Sequence, residues 1–241
     1  MEYVQRTEAG EDLDVDPRGG LVSGMLARGG LAGAPGPCYD NTVVDDVRQE
    51  LIALLQAAYS GERAAAYAYR GHWHSLHTAV DRDRVRTIER EEWHHRELVG
   101  EILRELGAAP RRLFEIRTYC IGRALGVLCH VSGWLAPMFG AGKIESRNVR
   151  EYEAAARLAQ RYGRDEWADC LLEMAEVEWE HEAYFRSKVL SHRLGRKLKL
   201  WTAPPPKAEI RASFARECTP PARPSPRARL SAPIRFYGHI S

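Results

Sequence analysis

None of the five cysteines in this 241-residue chain forms a C-x-x-C pair: Cys38, Cys120, Cys129, Cys170 and Cys218 stand apart and are odd in number. That spacing excludes a zinc ribbon or a rubredoxin-type iron site, and it favours a reduced, cytoplasmic setting over a disulfide framework. Cys120 and Cys129 are nine residues apart, on opposite faces of a helix, so no bridge is expected between them. The N-terminus lacks a basic region followed by an apolar run, so no signal peptide is expected. Residues 124–142 approach the length of a membrane span, but Pro137, His130 and four glycines interrupt them. They read as a buried helix or a homodimer face, with His130 as a core histidine. The functional alternatives are a lining for an apolar substrate channel or a shallow, peripheral membrane contact.

Net charge is also scarce, at +2, but it is unevenly placed. Residues 192–241 hold eleven Lys/Arg against two Glu, a local +9, which leaves −7 for residues 1–191. Residues 1–41 are Gly-rich, with little periodicity, and read as a disordered leader. Residues 193–241 carry eight prolines and many arginines and read as a disordered basic tail. That tail is taken as a solvated extension, with contact to nucleic acid or an acidic membrane surface as the lesser alternative. The folded part is therefore residues 42–192.

Within it, hydrophobic periodicity predicts four long helices. The first spans about residues 43–77, with Thr42 as its N-cap and Leu51, Leu55, Ala58, Ala65, Tyr69 and Trp73 on one face. A charged linker at residues 81–83 precedes the second, at about residues 84–106, which Gly107 and Pro110 close. The third begins near Phe114 and runs to Tyr162, with a kink or break near Pro137, ahead of Glu145. The fourth covers about residues 166–192, with Glu173, Glu176 and Glu180 turned outward. His72, His74 and His77 are expected to face solvent near the end of the first helix.

The chemistry lies in a helix-pair repeat. Each half has a lone glutamate on its first long helix (Glu62, Glu145) and a tyrosine seven residues on (Tyr69, Tyr152). Each then carries Glu-Trp-x-His, as Glu92-Trp93-His94-His95 and Glu178-Trp179-Glu180-His181. Glutamate and histidine at i and i+3 share one helix face and reach the same ion. The bundle centre thus collects four carboxylates and two imidazoles, the ligand set of a di-iron four-helix protein. Four negative charges balance two divalent ions, and this donor set suits iron, with manganese the alternative. The predicted ligands are Glu62, Glu92, His95, Glu145, Glu178 and His181, with Glu92 and Glu178 as bridges. The register Glu91/His94 lies on a more polar stripe, so Glu92/His95 is preferred. Tyr69 and Tyr152 are candidates to hydrogen-bond ligands or join the redox chemistry.

Over about residues 45–190 these motifs resemble the demethoxyubiquinone hydroxylase family of ferritin-like di-iron proteins. The match includes Gly61-Glu62 followed by Tyr69 and Gly71, Glu92/His95, the Gly-rich apolar start of the third helix, Glu145 with Tyr152, and Glu178/His181. The resemblance implies a ferritin-like four-helix bundle and a monooxygenase that uses dioxygen at two irons to hydroxylate a quinone-like apolar substrate in ubiquinone-type biosynthesis. It implies electrons from a reduced nicotinamide cofactor, directly or through a donor, and a cytoplasmic protein peripheral to the inner membrane face. Two departures stand out: Tyr59-Ser60 replaces the family's His-Ala before Gly-Glu, and no further apolar helices follow the fourth. The competing readings are a rubrerythrin-like peroxidase or ferroxidase and a non-catalytic iron-binding bundle.

Overall fold

The computed structural model describes residues 41–217; the leader, and the tail beyond residue 217, lie outside the described residues. All the described secondary structure is helical. It comprises α1 (Asn41–Ser75), α2 (Ala79–Glu105), α3 (Arg112–Leu128), α4 (Leu135–Arg161), α5 (Asp165–Ser191), a 3-10 turn (Gly195–Lys197) and α6 (Lys207–Glu217). Helices α1 and α2 form one hairpin and α4 and α5 another. The hairpins face each other through α1 against α4 and α2 against α5, which makes a helical bundle.

Local chemistry sets the ends. Thr78 caps α2 by accepting from the Asp81 amide at 3.2 Å, so α2 begins at Ala79 and the expected linker at residues 81–83 is helix. Asp81 is instead a buried acid, paired with Lys188 at 2.5 Å and accepting from Tyr184 at 3.0 Å. The two hairpin helices α2 and α4 stop in the same way. Gly107 and Gly163 take φ of +66° and +83°, and the next amides, Ala108 and Arg164, reach back to Leu103 and Ala159 carbonyls at 2.9 Å. Helix α1 starts at Asn41, so Thr42 lies inside it rather than capping it.

The third helical stretch, expected from residue 114 to 162 with a kink or break ahead of Glu145, is two helices. The break falls at residues 129–134, closed by Gly133 at φ +74°, ahead of Pro137 rather than at it. Pro137 sits in the first turn of α4, where a missing amide proton has no partner to lose. His130, expected in the core, lies in this turn and is exposed. Helix α3 is not buried either: Leu113 is 84% exposed, and Ile116, Val127 and Leu128 are open too. It crosses α1 on glycine. A Cβ on Gly71 would lie 2.3 Å from the Gly126 Cα, so both positions must lack side chains for this approach.

Residues 193–217, expected as disordered tail, pack on the bundle. Trp201 meets Phe139 edge-on at 5.1 Å and donates to Glu182 at 2.6 Å, and Ser146 donates to the Thr202 carbonyl at 2.7 Å. Ile210 and Phe214 stand four residues apart on α6, but one such pair on an eleven-residue helix behind three prolines, with Trp201 outside any helix, is too little periodicity to reveal the segment. Ile210 on α6 is fully buried in the core formed by Leu51, Leu55, Val99, Leu171 and Ala175. A second apolar cluster holds Leu76, Val85, Ile88, Met138 and Val189. Along each of α1, α2, α4 and α5, the predicted ligands fall between these two clusters, so a polar layer divides the core.

Ile210→Ala should cost about 2–4 kcal/mol in chemical denaturation, the price of a buried cavity. A change within about 0.5 kcal/mol would return residues 193–217 to the status of a solvated tail.

Candidate metal centre

Four helices deliver the six predicted residues to one place. Glu62 comes from α1, Glu92 and His95 from α2, Glu145 from α4, and Glu178 and His181 from α5; each is at most 4% exposed. One donor atom each from Glu92, Glu145, Glu178 and His181 lies within 4.8 Å of the others, and the same holds for Glu62, His95 and Glu178. The two groups share Glu178. Glu178 and His181, at i and i+3, fall in one group, whereas Glu92 and His95 fall in different ones. Glu92 and His95 both face this buried layer, while His94 has its side chain 65% exposed and faces Glu97.

The tyrosines cross between the halves. Tyr69 of α1 donates to Glu145 Oε1 on α4, and Tyr152 of α4 donates to Glu62 Oε1 on α1. Asn148 adds a bond from Nδ2 to Glu145 Oε2 at 3.1 Å. His95 Nδ1 lies 2.9 Å from Glu178 Oε1. His181 Nε2 lies 2.8 Å from Glu91 Oε2, so Glu91, dismissed with its register, is an outer partner of the site. Its neighbour Glu92 was the only sequence signal for it, whereas Asn148 was legible as Glu145 plus three.

Several polar atoms in this layer are buried without a hydrogen-bond partner. They are Glu62 Oε2, both carboxylate oxygens of Glu92, Glu178 Oε2 and His181 Nδ1. The last lies 3.3 Å from Glu92 Oε1 and 3.5 Å from Glu178 Oε2, yet is aligned for a hydrogen bond with neither. Buried oxygens and an imidazole nitrogen left open toward one centre are what a coordinated cation would satisfy. Oxygen donors with two imidazoles suit a divalent first-row metal, and this buried Glu/His group could hold a metal ion.

Electrostatics agree. Burial, aided by the neighbouring Glu178 charge, raises the Glu62, Glu92 and Glu145 carboxyls above their ordinary range. Burial works against ionised Glu178 too, but the adjacent Glu145 carboxyl and the His181 and His95 rings hold it well below that range. For His181, burial disfavours the charged ring, but the nearby Glu178, Glu91 and Glu92 carboxylates overcome this and raise it well above 6.5. His95 is raised against burial by Glu178. Burial and Glu62 push Tyr152 up, so it remains a neutral donor. The metal-free layer thus neutralises itself with protons that a cation would displace.

A cavity of about 570 Å³ adjoins this layer. Its walls include Glu62, Tyr69 and Tyr152, with Leu125 and Leu128 of α3 and Ile144 of α4. Residues 124–142 thus line a cavity in part, bury Met138 in the second apolar cluster and expose Val127 and Val131. His72, expected at the solvent, also lines it: the ring is 2% exposed and stacks on Phe185 at 6.1 Å. Three residues beyond buried Tyr69 and ten beyond Glu62, it shares their helix face, which proximity to the helix end obscured. Burial lowers its pKa to about 4, so the ring is neutral at physiological pH, and Nε2 has no partner.

Comparison with known proteins found no matching family model, no matching characterised protein and no matching solved structure. The site therefore rests on its own geometry.

A carboxyl raised above its ordinary 4.5 stabilises the fold fully below pH 4.5, and that contribution is lost as pH rises. The raised imidazoles lose theirs above 6.5, whereas lowered Glu178 matters only as pH falls below 4.5. His72, lowered to about 4, gives its full contribution only above pH 6.5, so metal-free protein should lose melting temperature from about pH 6.5 to about pH 8, while Mn²⁺ binding strengthens over that range and widens the gap between loaded and metal-free protein. Scanning calorimetry at several pH values checks this, and a pH-independent gap would contradict it.

Proposed function

We propose that the chain is a ferritin-like di-iron carboxylate oxidoreductase, a monooxygenase that uses dioxygen to hydroxylate an apolar, quinone-like substrate. The observation that carries this reading is the overlap of two buried donor groups at Glu178 beside a largely apolar cavity. Two iron ions held by Glu62, Glu92, His95, Glu145, Glu178 and His181 would supply the redox chemistry of dioxygen activation. Manganese fits the same donors. Electrons come from a reduced nicotinamide cofactor, directly or through a donor, as the family resemblance implies.

The chain's own residues have definable tasks. Tyr69 and Tyr152 hold the lone glutamates of opposite halves, which fixes one oxygen of each and leaves Glu62 Oε2 free to ligate. Glu62 also stands in the cavity wall, so a substrate in the cavity reaches the donor layer without crossing a helix. Ile121, Leu125, Leu128 and Ile144 keep that space apolar and exclude bulk water from the oxidising side. The first three also belong to the exposed apolar surface of α3, which supports entry of a lipid-soluble substrate where the protein meets a membrane surface.

Protein reconstituted anaerobically with Fe²⁺ should carry about two irons per chain, and Glu178→Ala, which removes the shared ligand, should lose most of both. Less than one metal per chain, unchanged in Glu178→Ala, would remove the di-metal reading. The loaded protein should restore growth to a mutant blocked in quinone-ring hydroxylation. Metal binding without complementation, together with rapid peroxide consumption by the reduced protein, would replace the hydroxylase with a peroxidase.

A further inference from the structure

The two halves of the bundle match at Glu62 and Glu145, Tyr69 and Tyr152, Glu92 and Glu178, and His95 and His181. They part at the residue just before the second glutamate, which is Glu91 in one half and Val177 in the other. Glu91 reaches across from α2 to α5, where its Oε2 lies 2.8 Å from His181 Nε2, and Arg84 Nη1 stands 3.3 Å from the same oxygen. In the neutral ring, with the carboxylate as acceptor, Nε2 carries the proton, and Nδ1, turned toward Glu92 and Glu178, has the lone pair a cation would take. A carboxylate on the outer nitrogen fixes the tautomer and ring orientation of a ligating histidine and raises its basicity.

His95 also turns Nδ1 inward, toward Glu178. The residue that the repeat would place behind it is Val177, which has no side-chain acceptor. Donor grouping is unequal in the same sense: four residues converge around His181 and three around His95, with Glu178 in both. An outer carboxylate and an extra donor both favour one side.

We propose that the two metal positions are inequivalent: the position served by His181 binds the first ion, and Glu91 is its positioning residue. This rests on the metal-centre reading above. Repulsion between two dications would by itself give two binding steps, so the order must be assigned by residue. The first step should depend on Glu91, and the second on His95.

The test is anaerobic titration of the metal-free full-length protein with Co²⁺, followed by calorimetry and visible absorption. Wild type should bind two ions in two steps. Glu91→Gln keeps the shape and an acceptor but loses the charge, and it should weaken the first step by about 10- to 100-fold. His95→Ala should abolish the second step and leave the first within about 3-fold of wild type. Glu97→Gln, on the exposed face of α2, should move neither. Two ions bound with one affinity, or a first step lost in His95→Ala and untouched in Glu91→Gln, would overturn the inference while leaving the metal centre standing. No Co²⁺ bound at all would overturn both. Should Glu91→Gln misfold, the His95→Ala titration still decides, because it removes the first step if His95 serves the tighter position.

Discussion

Four glutamates and two histidines buried within one layer of an apolar bundle are the constraint on which the rest of this molecule depends. An ionised carboxylate taken from water without compensation costs several kcal/mol at the least, and four together cost more than a domain of this size can spare. The chain meets that cost with paired tyrosine donors, an asparagine, shared protons and atoms left open for a cation. The apolar clusters above and below the layer keep it dry. Those clusters hold the four long helices at the spacing that lets i and i+3 side chains converge, so packing and site chemistry are one problem solved together.

The crossed tyrosines show how the two halves are locked. Each lone glutamate is held by the hairpin that does not carry it, so neither hairpin can complete the donor set alone. The cavity meets the layer at Glu62, Tyr69 and Tyr152, and Glu91 is not among its walls. A site with one face toward an apolar cavity and another backed by charge is polarised, although its two halves carry the same motif.

Long amphipathic helices and the glutamate and histidine positions were legible in the sequence because both follow from helical periodicity, which is local. The register at Glu92/His95 could be chosen because Ile88, Val99 and Ile102 mark the buried stripe on the same helix. What was not legible depends on partners distant in sequence. Asp81 looked like linker because Lys188 and Tyr184, which neutralise it, are over a hundred residues away. Residues 193–217 looked like tail because three prolines and a basic composition conceal Trp201 and Ile210. Helix α3 looked buried because its hydrophobicity is high, yet its glycine face packs on α1 and leaves its leucines and valines open. Crossing partners of the tyrosines could not be read at all: seven-residue spacing placed Tyr69 below Glu62, but its bond goes to Glu145.

The most direct test is anomalous diffraction at the iron edge from iron-loaded crystals. Two peaks about 3.5–4 Å apart, flanking the Glu178 carboxylate within the layer of six donors, are the result this account predicts. Well-ordered crystals with no peak beside Glu178, or with iron only at the surface, would contradict it.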